Sequence, residues 1–143
     1  MIETETFSPE EWTTLRLAPF WVFSAVVGRH RSFDPLEFEA FSRSVEIVAD
    51  HERGRLGGDV FTRVALDLDR LTRRYEADRR SVATGLWEVS GLLGRLPDDE
   101  AEAFRDALVS GVGEGVAMAR GRFGRIISED DVKALGLVAQ LLS

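Results

Sequence analysis

Apolar residues recur along this chain at intervals of three and four. The pattern is interrupted at short intervals by capping residues, prolines and glycines. Ser8-Pro9-Glu10-Glu11 supplies an N-cap, a proline suited to the first helical position and acids in the first turn, so a helix is expected from there to about Leu17. Pro19 has no N–H and clashes with the turn before it, which predicts a kink or a second helix start. Beyond it, Phe20, Trp21, Phe23, Val26 and Val27 leave no polar stripe, the mark of a helix surrounded by others. The run from Leu17 to Gly28 is about a dozen residues long, against the roughly 20 that a bilayer span requires.

Asp34-Pro35-Leu36-Glu37 is the next start: an acceptor, a first-turn proline and an acid able to close a capping box. Leu36, Ala40, Phe41, Val45 and Val48 then share a helical face. Ala49 to Asp59 holds three glycines and reads as a loop. The pattern resumes at Val60, Val64, Leu68 and Leu71. Arg73 to Arg80 is polar and is expected to hold a break. Val82, Leu86, Val89, Leu93 and Leu96 form another stripe, and Pro97-Asp98 starts a helix to about Ala119. Arg120 to Ile127 reads as a loop, and Ser128-Glu129-Asp130-Asp131 caps a last helix ending at Leu142. No convincing strand is present. The expected fold is all-α: a compact bundle of about seven helices in a single domain over residues 1–143, with residues 1–7 a flexible N-terminus.

Composition narrows the function. The chain has no cysteine, which removes disulfides, thiolate metal sites and a cysteine nucleophile. Its net charge of −7 opposes nucleic acid and anionic membrane, so neither is expected as a partner. The acidic start, Met1-Ile2-Glu3-Thr4-Glu5, is not a secretory signal, and a cytoplasmic location is expected.

A weak internal repeat links the two ends. A shift of 94 residues lays Phe33 on Ile127, Glu37 on Asp131, Phe38 on Val132, Ala40 on Ala134 and Phe41 on Leu135. This suggests two pseudo-repeated helix–loop–helix units. The segments that carry it, EEWTTLRLAPFWVFSAVVGRHRSFDPLEFEAF and MARGRFGRIISEDDVKALGLVAQLL, resemble the two signature regions of tellurite-resistance TerB-like domains. In that family an apolar helix runs into Ala-Asp-Gly, followed by an isoleucine or valine and, four residues later, a glutamate. The resemblance implies an all-helical fold of about seven helices, divalent-cation binding by acids of the two loops, and a non-enzymatic role in tellurite and stress resistance within membrane-associated or multi-protein complexes. Residue by residue, Phe33 and Ile127 take the apolar position, and Glu37 and Asp131 the acidic one. His30 and Gly124 stand where the family has aspartate, and Arg31 and Arg125 where it has glycine.

Two opposite readings of these loops follow. Asp34, Glu37, Asp130 and Asp131 offer oxygen ligands to a divalent cation, although helix capping also accounts for acids at these positions. Arg29, His30, Arg31, Arg122 and Arg125 bring positive charge beside helix N-termini, which suits an anion or an acidic protein partner. His30 and His51 flank one helix, roughly 22 Å apart at 1.5 Å per residue, so they cannot share a metal. No nucleophile, acid–base pair or cofactor motif stands out, and neither catalysis nor a cofactor is expected. Gly111, Gly115 and Ala119 recur every four residues, which predicts a strip for close helix packing. Arg73, Arg74, Arg79 and Arg80, with Asp69, Glu76 and Asp78 nearby, read as a solvated face of i,i+4 pairs. Trp12, Trp21 and Trp87 read as core or helix-interface residues.

Overall fold

A computed structural model describes residues 6–28, 34–120 and 129–143. Every regular element in them is helical: α1 (Pro9–Val27), α2 (Pro35–His51), α3 (Leu56–Leu66), α4 (Leu68–Ala77), α5 (Val82–Leu93), α6 (Asp98–Asp106), α7 (Glu114–Arg120) and α8 (Glu129–Leu142). A π-helical turn, Ala107–Gly113, joins α6 to α7 without interruption. The described residues therefore form seven rods, in agreement with the all-α bundle expected from the pattern.

The central rod is α1. It packs against α5, α8, α3 and α4 and against the π-helical turn, and Leu15, Leu17, Phe20, Trp21 and Phe23 are fully buried. Its start follows the sequence closely. Ser8 accepts from the Glu11 N–H while Glu11 reaches back to the Ser8 N–H, a complete capping box. Phe7, just before the cap, meets Trp12 edge-to-face with ring centroids 5.0 Å apart, the hydrophobic staple that fixes the entry of the chain. Phe7 is 4% exposed, so the N-terminal segment expected to be flexible through residue 7 is already anchored there. Residues 1–5 lie outside the described residues.

Pro19 does not divide α1. The helix runs through it to Val27. An interior proline costs about 3 kcal/mol, but each large side chain buried beyond it contributes roughly 1.5–3 kcal/mol, and the surrounding helices bury Phe20, Trp21 and Phe23 completely. Packing outweighs the local penalty.

The second difference lies at the glycines. The expected loop from Ala49 to Asp59 shrinks to Glu52–Arg55, and Gly57 and Gly58 form the first turn of α3. A Cβ on Gly58 would stand 2.2 Å from the Glu52 carbonyl oxygen. Glycine is needed there because the incoming chain crosses the helix start, not because the segment is irregular. The strip at Gly111 and Gly115 behaves as expected: added Cβ atoms would meet Val48 Cγ2 at 2.4 Å and Ser44 Oγ at 2.5 Å, so α2 lies directly on this backbone. Ala119 is exposed and takes no part. Trp21 is in the core and Trp12 packs on its edge, whereas Trp87 is 70% exposed on α5, which corrects its reading as a packed residue. Among the described residues no helix is long and apolar enough to cross a membrane.

The polar stretch before α5 is also more built than its composition suggests. Tyr75 is fully buried, and its hydroxyl shares a 2.6 Å hydrogen bond with Ser24 of α1. Arg80 does not pair with Glu76 on a solvated face. It turns inward to Asp78, Glu88 and Thr14, with its guanidinium carbon 4.8 Å from the centroid of Trp21.

Candidate functional site

The residues singled out in the two loops divide into two groups. Arg29, His30, Arg31, Arg122 and Arg125 lie outside the described residues, as do Phe33, Gly124 and Ile127. Asp34, Glu37, Asp130 and Asp131 are described. Asp34 caps α2, accepting from the N–H groups of Leu36 at 2.8 Å and Glu37 at 3.3 Å. Asp130 is exposed and Asp131 buried in the first turn of α8. Among the described residues no three histidine, aspartate or glutamate side chains converge in a way that would hold a metal ion.

A ligand-sized concavity lies elsewhere among the described residues. A cleft of about 980 Å³ opens between the start of α1, the face of α3 and the turn into α6. That volume is at the upper end of what small-molecule sites usually occupy. Helical spacing builds its walls. Trp12 and Arg16 lie one turn apart on α1, and Leu56, Asp59, Val60, Arg63 and Leu66 lie along α3. Phe7, held by the staple, forms the rim at the chain entry. The start of α3 is fixed from α6: Glu100 accepts from the Leu56 N–H at 3.0 Å and from Arg55 Nη1 at 3.3 Å. Arg55 has no capping side chain, so this carboxylate serves the helix N-terminus in its place.

The cleft has two chemical halves. Trp12 and Leu66 offer apolar surface, with Phe7 and Val60 buried behind it, and Leu66 is 71% exposed at this opening. Arg16, Arg55 and Arg63 supply positive charge, and Asp59, Asp99 and Glu100 supply negative charge. Arg55 is neutralised by Glu100. Arg63 reaches Asp67 only at 3.8 Å. Arg16 has no ion pair among the described residues, and its Nε is buried without a hydrogen-bond partner. Burial, then the like charge of Arg63, holds the Arg16 guanidinium below its ordinary pKa, with Asp67 opposing the shift. A buried polar atom in a folded protein almost always has a partner, so this one marks either a stored cost or a place for something that binds.

The isolation of Arg16 is legible in the sequence. This arginine is the one charge in the stretch from Thr13 to Gly28, and no acid stands three or four positions away on either side to pair with it. Arg63 and Leu66 carry no comparable signal, because only the docking of α3 against α1 gives them a role.

Fold and cleft together define a class: an all-helical protein with a ligand-sized, half-apolar opening walled by α1, α3 and the turn into α6. The sequence is 30% identical over 115 residues to uncharacterized protein ORF11' of Methanothermobacter thermautotrophicus, a match covering 71% of this chain and 70% of that protein. The chain belongs to the family of that protein. No family model matches the sequence, and no solved structure matches it.

Proposed function

We propose that this protein is a non-catalytic binding module that takes a small organic ligand in the cleft between α1, α3 and α6. The observation that carries this is Arg16, whose Nε is buried without a hydrogen-bond partner and which makes no ion pair among the described residues, in the wall of an opening large enough for a ligand. The apolar half supplies the area that most small-molecule sites use for affinity, and the few polar groups supply orientation. The resemblance to TerB-like domains supports a regulatory role without chemistry, in which occupancy is passed on to a protein partner in a stress response.

A neutral fluorescent probe, N-phenyl-1-naphthylamine, and its sulfonated relative, 8-anilino-1-naphthalenesulfonate, test the reading. Saturable binding of at least one of them, at one per chain, is expected. It is lost in Leu66→Glu, which places a charge in the mouth, and retained in Trp87→Ala, which alters a residue outside the cleft. Saturable binding should also raise the melting temperature, since a ligand of the folded state stabilises it by mass action. If neither probe binds saturably, or if Leu66→Glu leaves binding intact, the cleft is not a ligand site.

A further inference from the structure

We infer that the ligand of this cleft is an amphipathic anion: a flat apolar body seated on Trp12 and Leu66, with a single oxyanion head bound by Arg16 and supported by Arg63. The inference rests on the cleft being a ligand site and adds the chemical class of the ligand.

Two observations point to an anion, and a third limits its charge. Arg16 is half-buried, its Nε has no hydrogen-bond partner and it makes no ion pair among the described residues, so the charge of Asp67 offsets it only without contact. Removing a cation from water is costly unless an anion or several acceptors replace the lost hydration. An oxyanion delivered by a ligand does that, and charge-assisted hydrogen bonds to guanidinium are among the strong ones. Next, Arg63 lies close enough for its charge to act on Arg16, while its own acid, Asp67, is held at 3.8 Å rather than in tight contact. The pair therefore presents more positive charge than it neutralises. Finally, Asp59 and Asp99 also line the opening. They work against a highly charged ligand such as free phosphate and favour one head group of low charge, with the rest of the molecule apolar.

The two naphthyl probes separate this inference from the function it rests on, because they differ chiefly in the sulfonate. The sulfonate is expected to bind about tenfold more tightly than the neutral amine, the scale of one good charge-assisted contact. Arg16→Gln is expected to remove that advantage and leave the neutral amine unchanged. Arg63→Gln, on a different helix, is expected to reduce it less. Inorganic phosphate at millimolar concentration is expected neither to displace the sulfonate nor to raise the melting temperature. Equal binding of both probes, or full sulfonate affinity in both arginine variants, overturns the anionic head while leaving the cleft a binding site. Displacement by phosphate alone overturns the apolar body. Failure of both probes removes the site altogether. Should Arg16→Gln not fold, the Arg63→Gln result and the comparison of probes on the native protein decide the question.

Discussion

Two half-buried arginines sit beside tryptophans in this protein, and they are held in opposite ways. Arg80, in the corner between α4 and α5, donates from Nε and Nη2 to Asp78 and from Nη1 to Glu88 and Thr14 while lying over Trp21. The hydrogen bond to Asp78 leads the causes that raise its pKa. Arg16, one helical turn from Trp12, has no such partner, and burial lowers its pKa. The same side chain thus closes the fold at one place and is left open at the other. A charge compensated from within is structural, and a charge left uncompensated in a cleft wall is available to a ligand.

The largest expected effect of breaking this contrast is at the structural corner. Arg80→Met leaves Asp78, which is 7% exposed, without its main counter-charge. A loss of about 3 kcal/mol is expected, the usual cost of removing one partner of a buried pair, measured by urea unfolding. A loss below about 1 kcal/mol would make the Arg80 network ornamental. Next is Gly85→Ala. Its new Cβ would stand 2.2 Å from Cε2 of Trp21, the ring on which Arg80 lies. Overpacking of this kind costs roughly 1–3 kcal/mol, and a parallel loss of near-ultraviolet circular dichroism from Trp21 is expected. An unchanged melting curve would mean that the ring has room to move.

The pH dependence follows from Asp78. Burial opposes its ionisation, but the hydrogen bonds and charge of Arg80, with Arg74, outweigh burial and hold its carboxyl below the usual range. A carboxylate whose folded pKa is depressed contributes stability that is fully present above its unfolded pKa of about 3.9 and is lost as pH falls through the folded value. Asp78→Asn is therefore expected to be less stable than the native protein at pH 7, by roughly 1–3 kcal/mol for the lost charged hydrogen bonds, and to lose less stability on acidification below about pH 4. Parallel acid limbs would assign the acid sensitivity to other groups. The smallest effect is at the exposed clamp of Glu11 and Arg95, which meet through two contacts of 2.9 and 2.8 Å. Arg95→Ala is expected to lower the melting temperature only slightly, and the difference should fade at high salt.

Much of the fold was written in local signals. Ser8, Asp34 and Pro97 mark helix starts that the structure keeps, and the all-apolar face of α1 predicted its central place. The failures share a cause. Pro19 was expected to kink α1 or to start a second helix, and the helix runs on through it; Gly57 and Gly58 were expected to form a loop. In both places the deciding energy comes from segments far along the chain or from backbone approach, which a local window does not contain. Trp87 failed in the other direction, because an aromatic residue among apolar neighbours still faces solvent when it lies off the buried stripe of its helix. The site was less legible than the fold. The arginines and acids of the two loops stand out by their proximity in sequence. The cleft is assembled from α1, α3 and the turn into α6, and only the isolation of Arg16 among apolar neighbours announced it.

The measurement that bears most directly on the contrast is the urea stability of Arg16→Met beside that of Arg80→Met, with no ligand present. Methionine keeps much of the side-chain length and removes the charge. If Arg16 is held open for a ligand, its removal relieves an unfavourable burial, and the midpoint stays at or above that of the native protein while Arg80→Met falls by about 3 kcal/mol. If Arg16→Met falls by a similar amount, Arg16 is a structural residue like Arg80, and the account of the cleft is wrong.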